Sequence, residues 1–492
     1  MVALVVVVLL LAMAAAVFVA TQRGTGSGAA IPNPKPFSDL VFEVTLTGGF
    51  PNMVKLHAAH GPVFWWRLLG RRMLMVGSYE AAKQLLMGEG TLVRADYPPS
   101  VKQMLGPWGM VNIHGKSYTR IKRLAQAGFT PKAIRGYLPR IQAIAEEGVQ
   151  RWAAEGDILA YPEMKWYTFR VAVELFLGVG TGWTGPQDFP AVSATFATWL
   201  EGLFSFPVAI PGTAFARGLK ARDELMRRIH ASLELLEQRR AAKGSSDDAA
   251  RGDAAAGGPA PASNGAEQPI LMELLMASRD ERGEGLTRDQ LADTVLTLLF
   301  AGHDTSSTTL VRIFQHLHAH PEAVTRLRQE QAEVVVKHGT AITEAALADM
   351  QYADGALREA MRVTPIIAGF PRIALKDFEL CGYTIPAGTR LQCSLQHTLH
   401  TDSRWQAEDD PLAFKPERWL GQRDGAWIPF GGGPRLCLGW LMAMVEMKVL
   451  LAAIFRGHVL TLQEPNEPWM LFPLARPKHG MPARITEAEA AA

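Results

Sequence analysis

One cysteine near the C-terminus lies in a sequence that very few folds can use. The segment reads Phe430-Gly431-Gly432-Gly433-Pro434-Arg435-Leu436-Cys437-Leu438-Gly439. Glycines lack Cβ atoms, so this backbone can lie flat against a planar group and point its amides at sulfur. A thiolate needs such donors and nearby positive charge. The spacing favours Cys437 as a thiolate ligand of haem iron; a glycine-rich turn with a buried, unreactive cysteine is the alternative.

The segment resembles the haem-binding loop of the cytochrome P450 (haem-thiolate monooxygenase) family. The positions that carry the resemblance are Phe430, Gly433, Arg435, Cys437 and Gly439. It implies haem b as the cofactor, with Cys437 as the axial iron ligand. It also implies a mainly α-helical fold with small β-sheets (α+β) and an enzyme that activates O2.

Composition excludes several other classes of protein. The chain has 492 residues, 48% of them hydrophobic, which is enough for one large core or two domains. Its three cysteines form no CxxC pair, so neither a disulfide framework nor a tetrahedral zinc site is expected. The net charge of +2 gives no general attraction for nucleic acid, and no nucleic-acid partner is expected.

The N-terminus carries an uncharged apolar run over residues 2–20, long enough to cross a hydrocarbon core of about 30 Å as a helix. We therefore predict a single-pass membrane anchor at 1–21. A cleaved signal or organelle-targeting segment, with a cleavage site near 14–16, is the alternative. Arg23 and Lys35 precede the first acidic residue, which favours a catalytic domain on the cytosolic side. The membrane would be endoplasmic reticulum in a eukaryote, or a plastid.

Beyond this run the chain divides by composition. Residues 22–36 form a proline-rich hinge, and 37–488 are expected to form a single catalytic domain. Apolar runs at 63–67 and 72–76 predict a pair of strands. Residues 244–268 are Gly, Ser, Asp, Ala and Pro with little to bury, and they predict a flexible loop.

Helical spacing dominates the rest of the catalytic domain. Apolar residues recur three and four apart over 133–155, 164–178 and 219–240. A further helix is predicted over 287–320. Thr287 and Gln290 have the spacing of a capping box at its start, and a proline follows its end.

The middle of this last helix has an unusual composition. Ala301 and Gly302 are small residues followed, after His303, by the acid Asp304 and the alcohol Thr305. The resemblance implies that the small residues make room for dioxygen, that Thr305 hydrogen-bonds it and that Asp304 passes protons from water. A kinked helix with a polar patch is the alternative. We expect His303 to pack or to contact water.

An ion-pair network is expected behind the haem. Glu359 and Arg362 are three residues apart and share a helix face, although such a pair alone is usually solvent-exposed and weak. The resemblance implies that Arg418, within the segment 414–419, completes a buried network around the same carboxylate.

The resemblance also implies the remaining haem and substrate contacts. Arg372 and Arg435 are expected on the two haem propionates. Tyr118 and Lys122 stand where the family usually has Trp or His and Arg; both can still donate to a propionate. The residues expected to line the substrate pocket are Phe300, Ile366, Ile367 and Ala368.

Three segments resemble one clan of the family, which includes the retinoic-acid hydroxylases and the plant brassinosteroid and triterpenoid oxidases. They are residues 203–213, 369–380 and 382–386. The likeness implies hydroxylation of a lipophilic, isoprenoid-derived substrate such as a retinoid, sterol, triterpenoid or carotenoid derivative. A fatty-acid or xenobiotic hydroxylase is the alternative.

The sequence contains no flavin or dinucleotide motif, so electrons are expected from a separate flavoprotein reductase or ferredoxin. Arg120, Lys122, Arg123 and Lys415 could form a basic docking face, or only an ordinary solvated surface. A haem-thiolate isomerase and a non-catalytic haem protein are the alternative classes. The acid–alcohol pair at 304–305 favours oxygen activation over both.

Overall fold

The computed structural model of the protein describes residues 31–32, 51–68, 71–254, 269–402, 405, 410–421, 427–470 and 475–488. The predicted anchor at 1–21 and most of the predicted hinge at 22–36 lie outside these ranges. Within them, no helix is both long and apolar enough to cross a membrane. The described chain is mainly α-helical with small β-sheets, as predicted.

The α-helices of the described residues, in chain order, are α1 (Pro51–His60), α2 (Tyr79–Met87), α3 (Pro99–Leu105), α4 (Gly115–Ala125), α5 (Pro131–Glu155), α6 (Ala160–Phe176), α7 (Asp188–Leu203), α8 (Ala214–Ala254), α9 (Leu271–Ala277), α10 (Arg288–Ala319), α11 (Pro321–His338), α12 (Glu344–Asp349), α13 (Gln351–Val363), α14 (Leu395–His400) and α15 (Trp440–Phe455). Short 3-10 helices occupy Gln126–Phe129, Pro416–Trp419 and Gly433–Arg435.

The strands are β1 (Val63–Leu68), β2 (Arg71–Val76), β3 (Val93–Ala95), β4 (Asp157–Leu159), β5 (Gly369–Ala374), β6 (Phe378–Leu380), β7 (Tyr383–Ile385), β8 (Arg390–Ser394), β9 (His458–Leu462), β10 (Trp469–Met470), β11 (Arg476–Pro477) and β12 (Pro482–Glu487).

The chain divides into two compact units, each built from three stretches. The first unit comprises Met1–Asp96, Arg358–Cys437 and Asn466–His479. The second comprises Tyr97–Leu357, Leu438–Pro465 and Gly480–Ala492. The range predicted as a single catalytic domain therefore contains two units. Periodicity could not reveal this division, because it reports local structure and not which distant stretches pack together.

The first unit is organised by a five-stranded sheet with the order β1-β2-β8-β5-β3. The predicted strand pair is confirmed as an antiparallel hairpin in which Val63 faces Val76. Strand β2 then pairs in parallel with β8, and β5 pairs antiparallel with both β8 and β3. Buried β-branched and leucine side chains from these strands, such as Val93 and Leu391, form a core with helix α2.

The second unit is a helical assembly around α10. The capping box predicted for this helix is present: Gln290 N donates to Thr287 Oγ1 over 3.2 Å, and Thr287 N donates to Gln290 Oε1 over 3.1 Å. The helix is buried along most of its length and contacts α6 and α8. Such a helix needs apolar residues on nearly every side, which explains its weak amphipathic pattern.

Helix α8 differs from the sequence interpretation at its end. The predicted apolar face is confirmed at its start, where Leu225, Ile229 and Leu233 are fully buried. The helix then continues to Ala254, through residues 244–254 that we expected to be a loop. Seven of these eleven residues are Gly, Ser or Asp, which disfavour a helix, so intrinsic propensity does not explain the extension. Residues 255–268 lie outside the described ranges.

Candidate active site

The loop that carries Cys437 is held by its own backbone. Cys437 N donates to Phe430 O over 2.9 Å, Leu436 N to Gly433 O over 3.0 Å, and Gly431 N to Ile428 O over 2.9 Å. These bonds close a tight turn that leaves the Cys437 side chain exposed. Two residues later Gly439 is the N-cap of α15. The sequence thus places an accessible thiol on a rigid loop immediately before a buried helix.

Gly433 lets this loop approach helix α2 closely. Its φ of +60° lies in the left-handed region. A Cβ atom there would come within 2.3 Å of the Leu86 carbonyl oxygen, near the last turn of α2. No side chain can occupy that position without displacing backbone. Glycine at position 433 therefore allows the loop to pack directly against the backbone of α2, within the first unit.

The other two cysteines occupy different environments. Cys393 is buried in β8, and burial raises the pKa of its thiol to about 12. Cys381 is exposed in the turn between β6 and β7, with Ser78 Oγ 3.9 Å from its sulfur. Neither lies on a glycine-rich loop that ends at a helix.

The predicted ion-pair network is assembled around one buried carboxylate. Arg362 donates to Glu359 from Nε (2.9 Å) and Nη2 (2.8 Å), and Arg418 Nε donates over 3.0 Å. Trp419 Nε1 (3.0 Å) and the backbone N of Lys415 (3.2 Å) complete the set. The Glu359 and Arg362 side chains are 0% exposed. Sequence reasoning did not identify Trp419 as a partner, although it directly follows the predicted Arg418.

Three indoles form a row beside this network, which we call the tryptophan row: Trp405, Trp419 and Trp427. Successive ring centroids are 5.5 and 5.9 Å apart, and Trp427 lies 5.5 Å from the ring of Phe430. The Arg358 guanidinium lies 4.4 Å from the Trp427 ring centroid. Such stacking adds to the burial energy of aromatic rings. The row links the ion-pair network to the cysteine loop.

The two arginines expected on the propionates meet at a residue that sequence reasoning missed. Arg435 Nε lies 2.7 Å from Glu89 Oε1, and Arg372 Nε lies 3.0 Å from Glu89 Oε2. All three side chains are nearly buried, with 9%, 4% and 6% exposed, respectively. The sequence feature that could have indicated Glu89 is its position between two glycines, Gly88 and Gly90, in a turn.

Helix α10 of the second unit is uncovered at the predicted oxygen site. Ala301 is exposed and Gly302 and Thr305 are half-buried, whereas the neighbours His303 and Asp304 are buried. A Cβ atom at Gly302 would meet no atom within 4 Å. Thr305 Oγ1 donates to the Ala301 carbonyl oxygen over 2.6 Å. Small residues and one hydroxyl therefore share an open face in the middle of a buried helix.

Asp304 and His303 point to partners on α6. Lys165 Nζ lies 2.9 Å from Asp304 Oδ1, and the lysine side chain is 27% exposed. The His303 ring packs against Phe169 at 5.0 Å and hydrogen-bonds Thr168 through Nδ1 at 3.1 Å. Burial lowers the pKa of His303 to about 3, which keeps its imidazole neutral. The packing expectation for His303 agrees with this geometry, whereas Lys165 was missed.

Tyr118 and Lys122 lie one turn apart on α4. Tyr118 is buried with Ile113 and Ile121, and Lys122 Nζ lies 5.7 Å from its ring centroid. The neighbouring Arg120 donates from Nε to Asp280 over 2.5 Å, a bond that lowers the pKa of Asp280 to about 2.

Arg123 pairs with Glu281 in the same way. Two of the residues expected to form a basic docking face are therefore already neutralised by carboxylates of their own unit.

The predicted pocket residues are placed as follows. In the second unit, the Phe300 ring meets Trp199 edge-on at 5.9 Å and Phe204 at 6.2 Å. In the first unit, Ile366, Ile367 and Ala368 are half-buried in the segment leading from α13 to β5. Ile367 packs against a core cluster of its unit. The predicted residues are thus apolar and partly accessible in each unit.

These observations fit a haem with a thiolate ligand. The first unit presents an exposed thiol on a rigid loop and two nearly buried arginines suited to carboxylates. The second presents an open helix face lined by Ala301, Gly302 and Thr305.

The family model that matches the chain is Cytochrome P450, over residues 30–482. Among curated proteins, putative cytochrome P450 120 of Synechocystis is 29% identical over 86% of this chain and 89% of its own length. Cytochrome P450 26B1 of Danio rerio is 27% identical over 86% and 80%, and abscisic acid 8'-hydroxylase 2 of Arabidopsis thaliana is 28% identical over 87% and 83%.

The fold is similar to that of a solved structure. The cyanobacterial CYP120A1 with bound retinoic acid superimposes with a TM-score of 0.78 and 26% sequence identity. The match covers 94% of this chain and all of that one. Both the family model and this similarity span the two compact units.

Proposed function

The chain belongs to the cytochrome P450 family of haem-dependent monooxygenases, and we propose that it hydroxylates a lipophilic, isoprenoid-derived carboxylic acid. The observation that carries the proposal is the identity of the ligands named for its relatives. One relative is described with retinoic acid bound and another is named as an abscisic acid hydroxylase. Both ligands are isoprenoid-derived acids. Each relative matches more than four fifths of this chain.

We assign each haem contact to a single residue, as the family resemblance implies. Cys437 would hold the haem iron through its thiolate, from the rigid loop that Gly433 docks on α2. Arg372 and Arg435, with Tyr118 and Lys122, would hold the propionates. When bound, a haem held by a thiolate would supply O2 activation, in which two electrons and two protons are consumed, one oxygen atom enters the substrate and the other leaves as water.

Proton delivery is assigned to α10. The Thr305 hydroxyl lies on the open helix face and is oriented by its bond to the Ala301 carbonyl. Asp304 is its direct neighbour, and its carboxylate is held by Lys165, whose side chain reaches solvent. Protons would pass from water to Asp304 and then to the Thr305 side, with Lys165 holding the carboxylate in place.

Substrate binding is assigned to apolar side chains. Phe300, Ile366, Ile367 and Ala368 offer surface to an isoprenoid chain and no buried charge. The hydrocarbon part of such an acid gains affinity from the apolar area that it removes from water. Such a substrate would partition into membranes, which is consistent with the predicted N-terminal anchor.

Electrons are assigned to a separate protein donor. Because Arg120 and Arg123 are paired with Asp280 and Glu281, a docking partner would meet a face of mixed charge. Salt should therefore weaken docking less than it would for an unpaired basic patch.

A spectral titration tests the substrate proposal. Purified holoprotein is titrated with retinoic acid, abscisic acid, a sterol and palmitic acid, and the shift of the iron from low to high spin is followed. An isoprenoid acid should give the shift at the lowest concentration, and turnover with a surrogate reductase should add one oxygen atom to it. A shift with palmitic acid alone would overturn the isoprenoid assignment and favour a fatty-acid hydroxylase.

A further inference from the structure

We infer that Glu89 is a positioning residue for the haem propionates: it orients Arg372 and Arg435 as a pair and lowers the positive charge that the propionates meet. The inference rests on the proposed roles of the two arginines. Glu89 itself would touch neither the iron nor the substrate.

The turn that follows helix α2 holds the Glu89 carboxylate in place. Helix α2 ends at Met87, and the turn that follows is closed by Gly90 N donating to Val93 O over 2.7 Å. Gly90 has a φ of +85°, which favours glycine at that position. Glu89 Oε1 also accepts from Ala95 N over 3.2 Å. The carboxylate is therefore fixed by its own turn before either arginine is considered.

Each arginine reaches Glu89 through a separate tertiary contact. Strand β3 pairs with β5 so that Ala95 faces Arg372, which brings that side chain beside the turn. The 3-10 helix Gly433–Arg435 packs against α2, which brings Arg435 to the same carboxylate. Glu89 thus joins a sheet strand and the cysteine loop through one buried group.

The contacts use only one edge of each guanidinium. Both arginines approach Glu89 through Nε. A guanidinium carries five N–H donors, more than a single carboxylate oxygen accepts. Each arginine can therefore hold Glu89 and a propionate at the same time. A flexible arginine loses considerable rotamer freedom on binding, and an anchor that fixes it beforehand reduces that loss.

The charges give a second consequence. The two arginines bring a charge of +2 to the propionates, and the Glu89 carboxylate lowers that charge to +1. Negative charge near the iron disfavours the more negative, reduced state. Glu89 should therefore hold the reduction potential lower than the arginines alone would.

The test compares Glu89→Gln with Glu80→Gln, which removes the same charge from an exposed position on α2. Two quantities are measured on holoprotein: the rate of haem transfer to apomyoglobin and the midpoint potential. For E89Q we expect haem loss to be about tenfold faster, the effect of losing a charge-assisted bond. The potential should shift to a more positive value. E80Q should change neither.

Each outcome is decisive. Wild-type haem loss and a wild-type midpoint potential in E89Q would overturn the inference. Faster haem loss with an unshifted potential would also overturn it, because a residue with only a structural role gives that second result. If E89Q does not fold, Glu89→Asp is measured, which keeps the charge but shortens the side chain; a wild-type rate of haem loss there overturns the positioning role. Arg372→Gln tests the proposed propionate contact itself. If this variant loses haem at the wild-type rate, the contact between Arg372 and a propionate is refuted, independently of the Glu89 result.

Discussion

Cys437 has an exposed side chain on a loop held by backbone hydrogen bonds, whereas Cys393 is buried with a pKa of about 12. Replacing Cys437 by serine should abolish the red-shifted absorption of the reduced carbon monoxide complex, because a neutral hydroxyl cannot donate charge to iron as a thiolate does. Difference spectroscopy measures this directly. Cys381→Ser, at another exposed thiol, should leave the band unchanged, and its persistence in C437S would refute the ligand assignment.

Thr305 is the second residue with a defined chemical role. Thr305→Ala should lower product formed per O2 consumed by roughly a hundredfold, the usual size of a proton-transfer contribution, while O2 consumption continues. Thr309→Ala is the matched control, since its hydroxyl makes the same kind of bond, to the Thr305 carbonyl at 2.9 Å. Equal coupling of product to O2 in both variants would contradict the role.

Glu359 accepts bonds from Arg362, Arg418 and Trp419 in a fully buried setting. Glu359→Gln leaves two cationic groups without their carboxylate, and this should cost about 3–5 kcal/mol of unfolding free energy and most of the haem content. Thermal unfolding and haem-to-protein ratio measure both. Glu344→Gln breaks an exposed pair with Arg135 and should cost less than about 1 kcal/mol.

At the scale of elements, helices α1 and α14 meet through two histidines. The rings of His57 and His397 are stacked 4.2 Å apart with an angle of 11° between them. Burial lowers the pKa of His57 to about 4 and that of His397 to about 3, with His57 and then His400 adding to the effect on His397. Gly77 is required beside them, because a Cβ there would lie 2.4 Å from His57.

This stack predicts loss of stability in acid. Above pH 6.5 both imidazoles are neutral in folded and unfolded chains, so the contact is fully present. As the pH falls below 6.5 the unfolded chain binds protons that the folded chain excludes, down to about pH 4 for His57 and about pH 3 for His397. Stability falls by on the order of 3 to 5 kcal/mol for each histidine. Unfolding of His397→Gln, followed against pH, should have a flatter slope in this window. His230→Gln, at a half-buried position of α8 outside the stack, is the control.

Elements were predictable where local chemistry decides them. The capping box at Thr287 and the apolar face of α8 at Leu225 follow from spacing alone. The pairing of β3 with β5, which carries Arg372 to Glu89, joins residues almost 280 positions apart, and no periodicity encodes it. The Lys165–Asp304 contact was missed for the same reason.

At the scale of the whole molecule, the predicted anchor remains a prediction, since residues 1–21 lie outside the described ranges. Deleting residues 2–30 should move the protein from the membrane pellet to the supernatant, because about 20 apolar residues are what a membrane span requires. The carbon monoxide spectrum should not change. Restoring an unrelated apolar segment of equal length should restore sedimentation, and a deleted protein that still sediments would contradict the anchor.

The tryptophan row gives the first unit an optical property of its own. Indoles whose centroids lie 5.5 and 5.9 Å apart share electronic excitation, so their transitions couple in near-ultraviolet circular dichroism. Of the 12 tryptophans in the chain, these three therefore contribute a signal that depends on their mutual orientation. The chain carries an intrinsic chromophore that registers local order beside the cysteine loop, without any added label.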